Sequence, residues 1–187
     1  MLDTILDSPL SSWLQLDTDA TDHIVISSRI RLARNFDGVL FTNRNDMSSL
    51  EKVNSFSRSL LKPLKDVDGH QYSNINLEQL SERDRAILVE KHLMSPALEE
   101  KLPYRNLVVS DDASIVIMVN EEDHLRIQSM VSGLRLEVAY ERVLKIDKAI
   151  EAKYPYAFDE RFGYLTAFTI TFGLYETAYA MSIFSIF

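Results

Sequence analysis

The strongest constraint on the fold is an apolar run, Ser114–Val119, that leads directly into the charged stretch Asn120–Arg126. A β-branched run of this length predicts a buried strand. The stretch after it reads Asn-Glu-Glu-Asp-His-Leu-Arg, which brings three consecutive carboxylates, a histidine and an arginine to one end of that strand. Carboxylates packed this closely repel one another and raise one another's pKa, so a fold tolerates them most easily where a cation arrives. A solvated acidic turn explains the same residues, and this segment alone leaves both interpretations open.

The upstream stretch His23–Asn35 predicts a strand with a basic face. Side chains alternate along a strand, which gives one face with Ile24, Ile26, Ser28, Ile30 and Leu32 and an opposite face with Val25, Ser27, Arg29 and Arg31. Arg29 and Arg31 then lie side by side, about 7 Å apart at the rise of a strand. Two guanidiniums held in this way suit a polyphosphate, because each offers a fork of donors to phosphate oxygens. An edge strand with a basic outer face is the alternative.

Together these stretches contain the motifs of one enzyme family. Ser27-Ser28-Arg29-Ile30-Arg31 is similar to a Ser/Thr-x-Arg-x-Arg element, and Asn120–Arg126 is similar to an Asn-Glu-Glu-Asp-His-x-Arg signature. Both motifs resemble those of the phosphagen kinases (ATP:guanidino phosphotransferases). Leu88–Pro96 resembles the helix end that carries their nucleotide-contacting histidine, and its Lys-His-Leu-x-Ser-Pro string resembles the bacterial protein arginine kinases, as does 156–160. The resemblance extends from about Ser12 to Ala167.

The resemblance implies transfer of the ATP γ-phosphate to arginine side chains of proteins. It implies ATP and Mg²⁺ as cofactors, with the metal held mainly through the phosphates and no dedicated metal-binding residue. Glu122 matches the family's catalytic carboxylate, and Glu121 is expected to support it. The residues expected to bind ATP are Ser27, Ser28, Arg29, Ile30, Arg31, His92 and Arg126. Arg34 fits a structural salt bridge at least as well as a phosphate contact.

The length of the chain bears on the substrate. Phosphagen kinases that act on free arginine or creatine carry a helical domain of about a hundred residues ahead of the arginine strand, an ordinary domain size. Here only Met1–Asp22 precede that strand, which favours a protein substrate. A small-molecule guanidino kinase and a non-catalytic, truncated kinase fragment are the alternatives. By resemblance, further partners are a zinc-finger activator, a heat-shock repressor and an ATP-dependent protease.

Composition excludes several other classes. The net charge of −8, with no basic run, argues against a nucleic-acid partner. The absence of cysteine excludes disulfides and thiolate sites. The N-terminus has no charged segment followed by an apolar one, so neither a secretory signal nor a membrane partner is indicated. A cytoplasmic enzyme is expected.

The patterns predict an α+β fold, an antiparallel β-sheet with packed helices that resembles the N-terminal half of the phosphagen kinase catalytic domain. The predicted helices are Ser48–Leu64, Ser81–Met94 and Leu136–Lys153, with a short helix near the N-terminus. The predicted strands, besides the arginine strand, are 71–76, 106–109, 114–119, 124–131 and 162–167. The strands 106–109 and 114–119 are predicted to form an antiparallel hairpin.

Three segments are expected along the chain: an N-terminal segment 1–22, a partial catalytic domain 23–167, and a tail 168–187. The tail is rich in aromatic residues and departs from the family pattern after Ala167, which we attribute to a frameshift or a damaged gene. The ancestry is therefore a firmer expectation than activity of this chain.

Overall fold

A six-stranded antiparallel sheet organises the protein. The computed structural model describes residues 2–7, 25–37, 47–65, 67–100, 105–121, 124–161, 163–165 and 180–185. Its strands are β1 (Val25–Arg34), β2 (Tyr72–Asn76), β3 (Asn106–Ser110), β4 (Ile115–Glu121), β5 (His124–Ser132) and β8 (Ala180–Ser185). They lie in the order β2-β3-β4-β5-β1-β8 across the sheet. Two short strands, β6 (Phe158–Asp159) and β7 (Gly163–Tyr164), pair separately. The described helices are α1 (Leu2–Asp7), α2 (Met47–Leu64), α3 (Glu82–Glu90), α4 (Pro96–Glu100) and α5 (Leu136–Glu151), and a 3₁₀ turn spans Leu77–Gln79.

The centre of the sheet is the predicted hairpin. Every residue of β3 and β4 is buried, as expected for β-branched strands covered on both faces. The two strands pair antiparallel, with Val108 opposite Ile117. Asp112 organises the turn between them, because its Oδ1 accepts hydrogen bonds from the Ser114 amide at 2.9 Å and from the Ser110 hydroxyl at 2.7 Å. The predicted antiparallel hairpin is confirmed.

Helices cover the two faces of the sheet unequally. On one face α2 and α5 pack against apolar residues of the central strands; this core contains Ile30, Leu32, Val53, Leu60, Ile117, Leu125, Ile127, Val143, Ile146 and Ile150. On the other face α1, α3 and α4 supply most of the cover over the β2–β4 half; that core contains Ile5, Leu77, Leu88, Leu93, Leu98, Leu107, Val116, Met118 and Met130. On this second face, β1 and β5 carry the side chains of Arg29, Arg31, Arg126 and Gln128, which we call the arginine face. Alternation thus separates the arginines from the apolar residues between them.

The third helix is shorter than predicted. The sequence predicts a helix over Ser81–Met94, and the structure confirms its start, where the Ser81 hydroxyl accepts a hydrogen bond from the Asp84 amide. The helix ends at Glu90, however, because His92 adopts a left-handed conformation with φ of 58°. The Leu93 amide then donates to the Leu88 carbonyl at 2.9 Å, which closes a Schellman-type turn.

Near the two ends of the chain, the predicted helix and the predicted strand are described as short elements. A short N-terminal helix is confirmed, and Lys91 Nζ ties it to α3 through a hydrogen bond to the Ile5 carbonyl. The strand predicted over 162–167 is described only as the two residues of β7. Residues 168–179 lie outside the described residues, while β8 pairs antiparallel with the outer edge of β1. The division into a catalytic part and a tail stays a prediction.

Candidate functional site

A β-bulge at Asn120 turns the acidic signature toward the arginine face. Val119 pairs with Leu125, but the next pair is Glu121 with His124, so Asn120 is an extra residue in β4. Asn120 has a φ of 65°, a left-handed conformation that asparagine tolerates better than most residues. Regular alternation after Ile115, Ile117 and Val119 would direct Glu121 into the core under α2 and α5. The bulge reverses this and brings Glu121 beside Arg126.

Glu121 is a buried carboxylate surrounded by donors. Its side chain is 1% exposed, and its Oε2 lies 2.5 Å from Arg126 Nε and 3.5 Å from His124 Nε2. Its Oε1 accepts a hydrogen bond from the Ser95 hydroxyl. Burial raises the pKa of this carboxyl, but the hydrogen bond from His124, the Arg126 charge and the Ser95 hydroxyl outweigh burial and lower the pKa below its ordinary value. The sequence predicted a raised pKa, which is wrong for Glu121, because its nearest described neighbours donate hydrogen bonds or carry positive charge.

Three guanidiniums of the arginine face interact with one another. Register places Arg126 of β5 opposite Ala33, diagonal to Arg31 on β1. Burial and then the charges of Arg31 and Arg126 lower the pKa of Arg29 to about 10. Burial and the Arg126 charge likewise lower the pKa of Arg31, whereas Glu121 acts in the opposite sense. The cluster therefore holds concentrated positive charge that an anion with several oxygens would stabilise.

His92 lies at the edge of this cluster. Its side chain is largely exposed but partly desolvated; this partial burial, followed by the charges of Arg29 and Arg31, lowers the pKa of its imidazole. A neutral imidazole next to two guanidiniums can stack on or donate to a ligand without adding further positive charge. Its left-handed backbone costs about 1 kcal/mol relative to glycine, a strain that is often found at functional sites.

The structure adds Gln128, which sequence reasoning missed. Its side chain is fully buried, its Oε1 accepts from Arg31 Nε at 2.8 Å, and its Nε2 donates to the His92 carbonyl at 2.8 Å. The available signal was a polar residue at an alternating position of a strand, two residues after Arg126. That signal carries little weight without knowledge of the strand opposite.

The remaining predicted site residues do not all join the cluster. Ser27 lies half-buried on the arginine side of β1. The side chains of Ser28 and Ile30 lie on the other face: Ile30 is in the core, and the Ser28 hydroxyl donates to the Gly133 carbonyl at 2.7 Å. Glu122, the predicted catalytic carboxylate, lies outside the described residues, as does Asp123.

Arg34 is a structural residue. Its Nη2 lies 2.9 Å from Asp147 Oδ2 of α5, and both side chains are buried. Its guanidinium also lies over the Tyr164 ring, 4.1 Å from the ring centroid. Burial raises the pKa of Asp147 despite this partner. The salt bridge expected for Arg34 is thus present.

A second cluster of potential metal ligands lies far from the arginines. His70 Nδ1 is 2.9 Å from Asp111 Oδ1 and 3.6 Å from Asp112 Oδ1, at the turn between β3 and β4. This turn is at the opposite end of β4 from Glu121, roughly 20 Å away at the rise of a strand. The cluster therefore cannot supply ligands to a metal bound at the arginine face.

The arrangement suits a nucleotide polyphosphate. Three guanidiniums and a neutral imidazole provide anion donors and a surface for a base, while Glu121 fixes Arg126. Within the described ranges, the group of potential metal ligands that was found is His70, Asp111 and Asp112, away from the arginines. No helix of the described parts has the length and apolar character needed to cross a bilayer.

Comparisons with known proteins agree with this geometry. Residues 52–180 match the family described as ATP:guanido phosphotransferase, C-terminal catalytic domain. The chain is 43% identical over 162 residues to a protein-arginine kinase of Syntrophomonas wolfei, covering 83% of this chain and 44% of that protein. It is 39% identical over 166 residues to a protein-arginine kinase of Halothermothrix orenii, covering 89% and 46%. The chain thus spans less than half the length of these relatives.

Solved structures show the same fold. A duplicated taurocyamine kinase from Schistosoma mansoni, with bound components of a transition-state analogue, superposes with a TM-score of 0.68 at 25% identity over 89% of this chain and 24% of that chain. A lombricine kinase superposes with a TM-score of 0.59 at 22% identity over 86% of this chain and 47% of that chain, which supports the fold alone. The predicted α+β architecture with an antiparallel sheet is confirmed.

Proposed function

Because the chain belongs to the ATP:guanido phosphotransferase family, we propose that it serves the transfer of the ATP γ-phosphate to arginine side chains of proteins. The observation that carries the proposal is the cluster of Arg29, Arg31 and Arg126 beside the buried Glu121. The identity of about two residues in five to proteins named protein-arginine kinase supports arginine as the acceptor.

The arginines would bind and neutralise the triphosphate. Arg29 and Arg31 offer guanidinium donors from one strand, and Arg126 offers Nη1, because Glu121 engages its Nε and His124 contacts its Nη2. Mg²⁺, held through the phosphates, would supply further charge neutralisation. His92 would contact the nucleoside part from the edge of the cluster. Such a site acts mainly by positioning and charge stabilisation, which is what phosphoryl transfer requires.

The acceptor requires a carboxylate. A guanidinium is protonated at neutral pH, so one N–H proton must leave as the N–P bond forms and the bond from phosphorus to the ADP oxygen breaks. We assign Glu122 the role of aligning the guanidinium and accepting that proton, since it matches the family signature. Glu121 is assigned an indirect role, because it is buried and paired with Arg126.

Binding of MgATP, measured by calorimetry, tests the phosphate site. Charge-assisted contacts contribute about 1.5–3 kcal/mol each, so three correspond to a Kd between about 0.5 mM and 0.3 μM. Arg31→Met is expected to weaken binding by at least tenfold, whereas Arg161→Met, at a side chain that is 77% exposed, should leave binding unchanged. Equal effects of the two substitutions would contradict the proposed site.

Phosphoryl transfer tests the reaction. Phosphorus NMR with an unfolded, arginine-rich protein as acceptor is expected to reveal an acid-labile N–P linkage, and Glu122→Gln is expected to slow its formation by about 10²–10⁴-fold. The chain covers less than half of its relatives, so the same substitution in one of those full-length kinases is the matched control. Transfer to free arginine in preference to protein would favour a small-molecule guanidino kinase instead.

The cellular setting follows from the resemblance alone. We propose a cytoplasmic location, and as partners an activator with zinc fingers, a heat-shock repressor and an ATP-dependent protease. Co-purification of the tagged chain from its host would test each partner.

A further inference from the structure

Gln128 is a buried polar residue of the arginine face. It lies on β5, opposite Arg31 of β1 and Val116 of β4, and its side chain is fully buried. A buried carboxamide is costly unless both of its ends are hydrogen-bonded. Here both ends are, so the position requires a side chain that accepts at one end and donates at the other.

The partners fix the orientation of the carboxamide. Arg31 Nε can only donate, so the atom 2.8 Å away is Oε1. The His92 carbonyl can only accept, so the atom 2.8 Å away is Nε2. No rotation by 180° would satisfy both partners. The bonds are therefore specific to glutamine rather than to any polar residue of similar size.

The two partners belong to different parts of the site. Arg31 lies on β1 in the phosphate-binding cluster, and His92 lies after α3 with a left-handed backbone. The hydrogen bond to Arg31 uses Nε, which leaves the two outer guanidinium nitrogens for a ligand. The bond to the His92 carbonyl holds the turn in which that strained residue lies. The Ser95 hydroxyl, bonded to Glu121, fixes the other end of the same turn.

We propose that Gln128 is a positioning residue that holds Arg31 and His92 in one arrangement, so that the phosphate and nucleoside ends of one nucleotide are bound together. The role in nucleotide binding rests on the proposed function. Arg31 and the His92 carbonyl engage both ends of the Gln128 carboxamide, so Gln128 acts through these two neighbours.

NMR of the full chain tests the geometry without a ligand. In the wild type, the Arg31 Nε–H is expected to give a slowly exchanging signal, and the pKa of the His92 imidazole is expected below its ordinary value because of burial and then the charges of Arg29 and Arg31. Gln128→Met removes both bonds at similar volume; the Nε–H signal should be lost and the His92 pKa should rise. Gln128→Glu keeps the acceptor and loses the donor, so the Nε–H signal should persist while the His92 backbone signals shift.

Ligand binding tests the coupling. Gln128→Met is expected to weaken MgATP by about tenfold or more, the effect of losing a bond to a charged group, and inorganic tripolyphosphate by clearly less. In a His92→Ala background the extra loss for MgATP should disappear. Ser129→Ala is the matched control, because this neighbouring buried serine lies on the opposite face of the same strand; it should change neither ligand's affinity.

The outcomes separate the two proposals. Unchanged Arg31 and His92 signals in Gln128→Met, or equal losses for both ligands, would overturn the role of Gln128. A wild-type chain that binds neither ligand would contradict the proposed function, while the NMR signals would still decide whether Gln128 holds Arg31 and His92.

Discussion

Replacing Glu121 by glutamine is expected to lower the free energy of unfolding by about 2–3 kcal/mol at pH 7. The substitution keeps the shape of the side chain and removes its charge. Glu121 is 1% exposed and pairs with Arg126 Nε at 2.5 Å, so a neutral amide leaves Arg126 beside Arg29 and Arg31 without its anion.

The magnitude follows from the unequal burial of the pair. Removing one partner of a fully buried ion pair costs about 3–5 kcal/mol, because the other charge is left without compensation. Arg126 is 25% exposed, so its guanidinium can turn partly toward water and recover some of that cost. The Ser95 hydroxyl can still donate to the amide oxygen of glutamine, which reduces the loss further.

The loss is expected to depend on pH. The folded protein lowers the pKa of Glu121 below the ordinary value of 4.5, so its charge contributes stability that is present above pH 4.5. This contribution is lost as the pH falls through the pKa of Glu121 in the folded protein. Below that pKa the wild-type carboxyl is protonated and uncharged, like the glutamine side chain of the variant. The difference between wild type and Glu121→Gln should therefore be largest at neutral pH and vanish in acid.

Urea unfolding followed by circular dichroism at a series of pH values measures this difference. Glu78→Gln is the control, because Glu78 is an exposed carboxylate on the 3₁₀ turn, and its effect should stay within about 0.5 kcal/mol. A Glu121→Gln variant as stable as wild type at pH 7, or a difference that persists unchanged at pH 3, would refute the reasoning from the ion pair.

Substitutions at two further positions, Arg34 and His92, test the buried salt bridge and the left-handed backbone. Arg34→Met leaves the buried carboxyl of Asp147 without its partner and is expected to lower the free energy of unfolding, measured in urea, by about 3–5 kcal/mol. The control Arg161→Met, at an exposed side chain, should lower it by less than about 1 kcal/mol. Equal losses for the two variants would show that the Arg34–Asp147 pair is not stabilising. His92→Gly relieves the left-handed strain and is expected to raise the free energy of unfolding by up to about 1 kcal/mol while weakening MgATP binding. His92→Ala keeps the strain, so calorimetry should show the same loss of affinity with no gain in stability; a His92→Gly variant less stable than His92→Ala would contradict this.

Local alternation predicted much of the sheet. Side chains alternate along a strand, so the sequence around Arg29 and Arg31 was sufficient to predict that both arginines lie on one face and Ile30 on the other. The apolar run before Asn120 predicted the buried strand of the hairpin in the same way. These features depend on residues that are neighbours in sequence, which is why they could be predicted.

Features that depend on partners distant in the chain could not be predicted. The early end of α3 arises from a left-handed residue, His92, for which glycine is the usual signal. The lowered pKa of Glu121 arises first from His124 and Arg126, which the bulge at Asn120 brings beside its carboxylate, and then from Ser95, which lies 26 residues earlier in the chain. The role of Gln128 depends on strand register, which places Arg31 opposite it.

The bulge at Asn120 has a consequence for how the β4–β5 hairpin forms. A slipped pairing without the extra residue would place the Glu121 carboxylate in the apolar layer beneath α2 and α5, where the guanidinium of Arg34 is already paired with Asp147. Burying an unpaired carboxylate costs several kcal/mol, so such a misaligned hairpin is unstable and re-forms. We therefore expect Glu121 to disfavour misaligned β4–β5 pairings during folding, before any ligand binds.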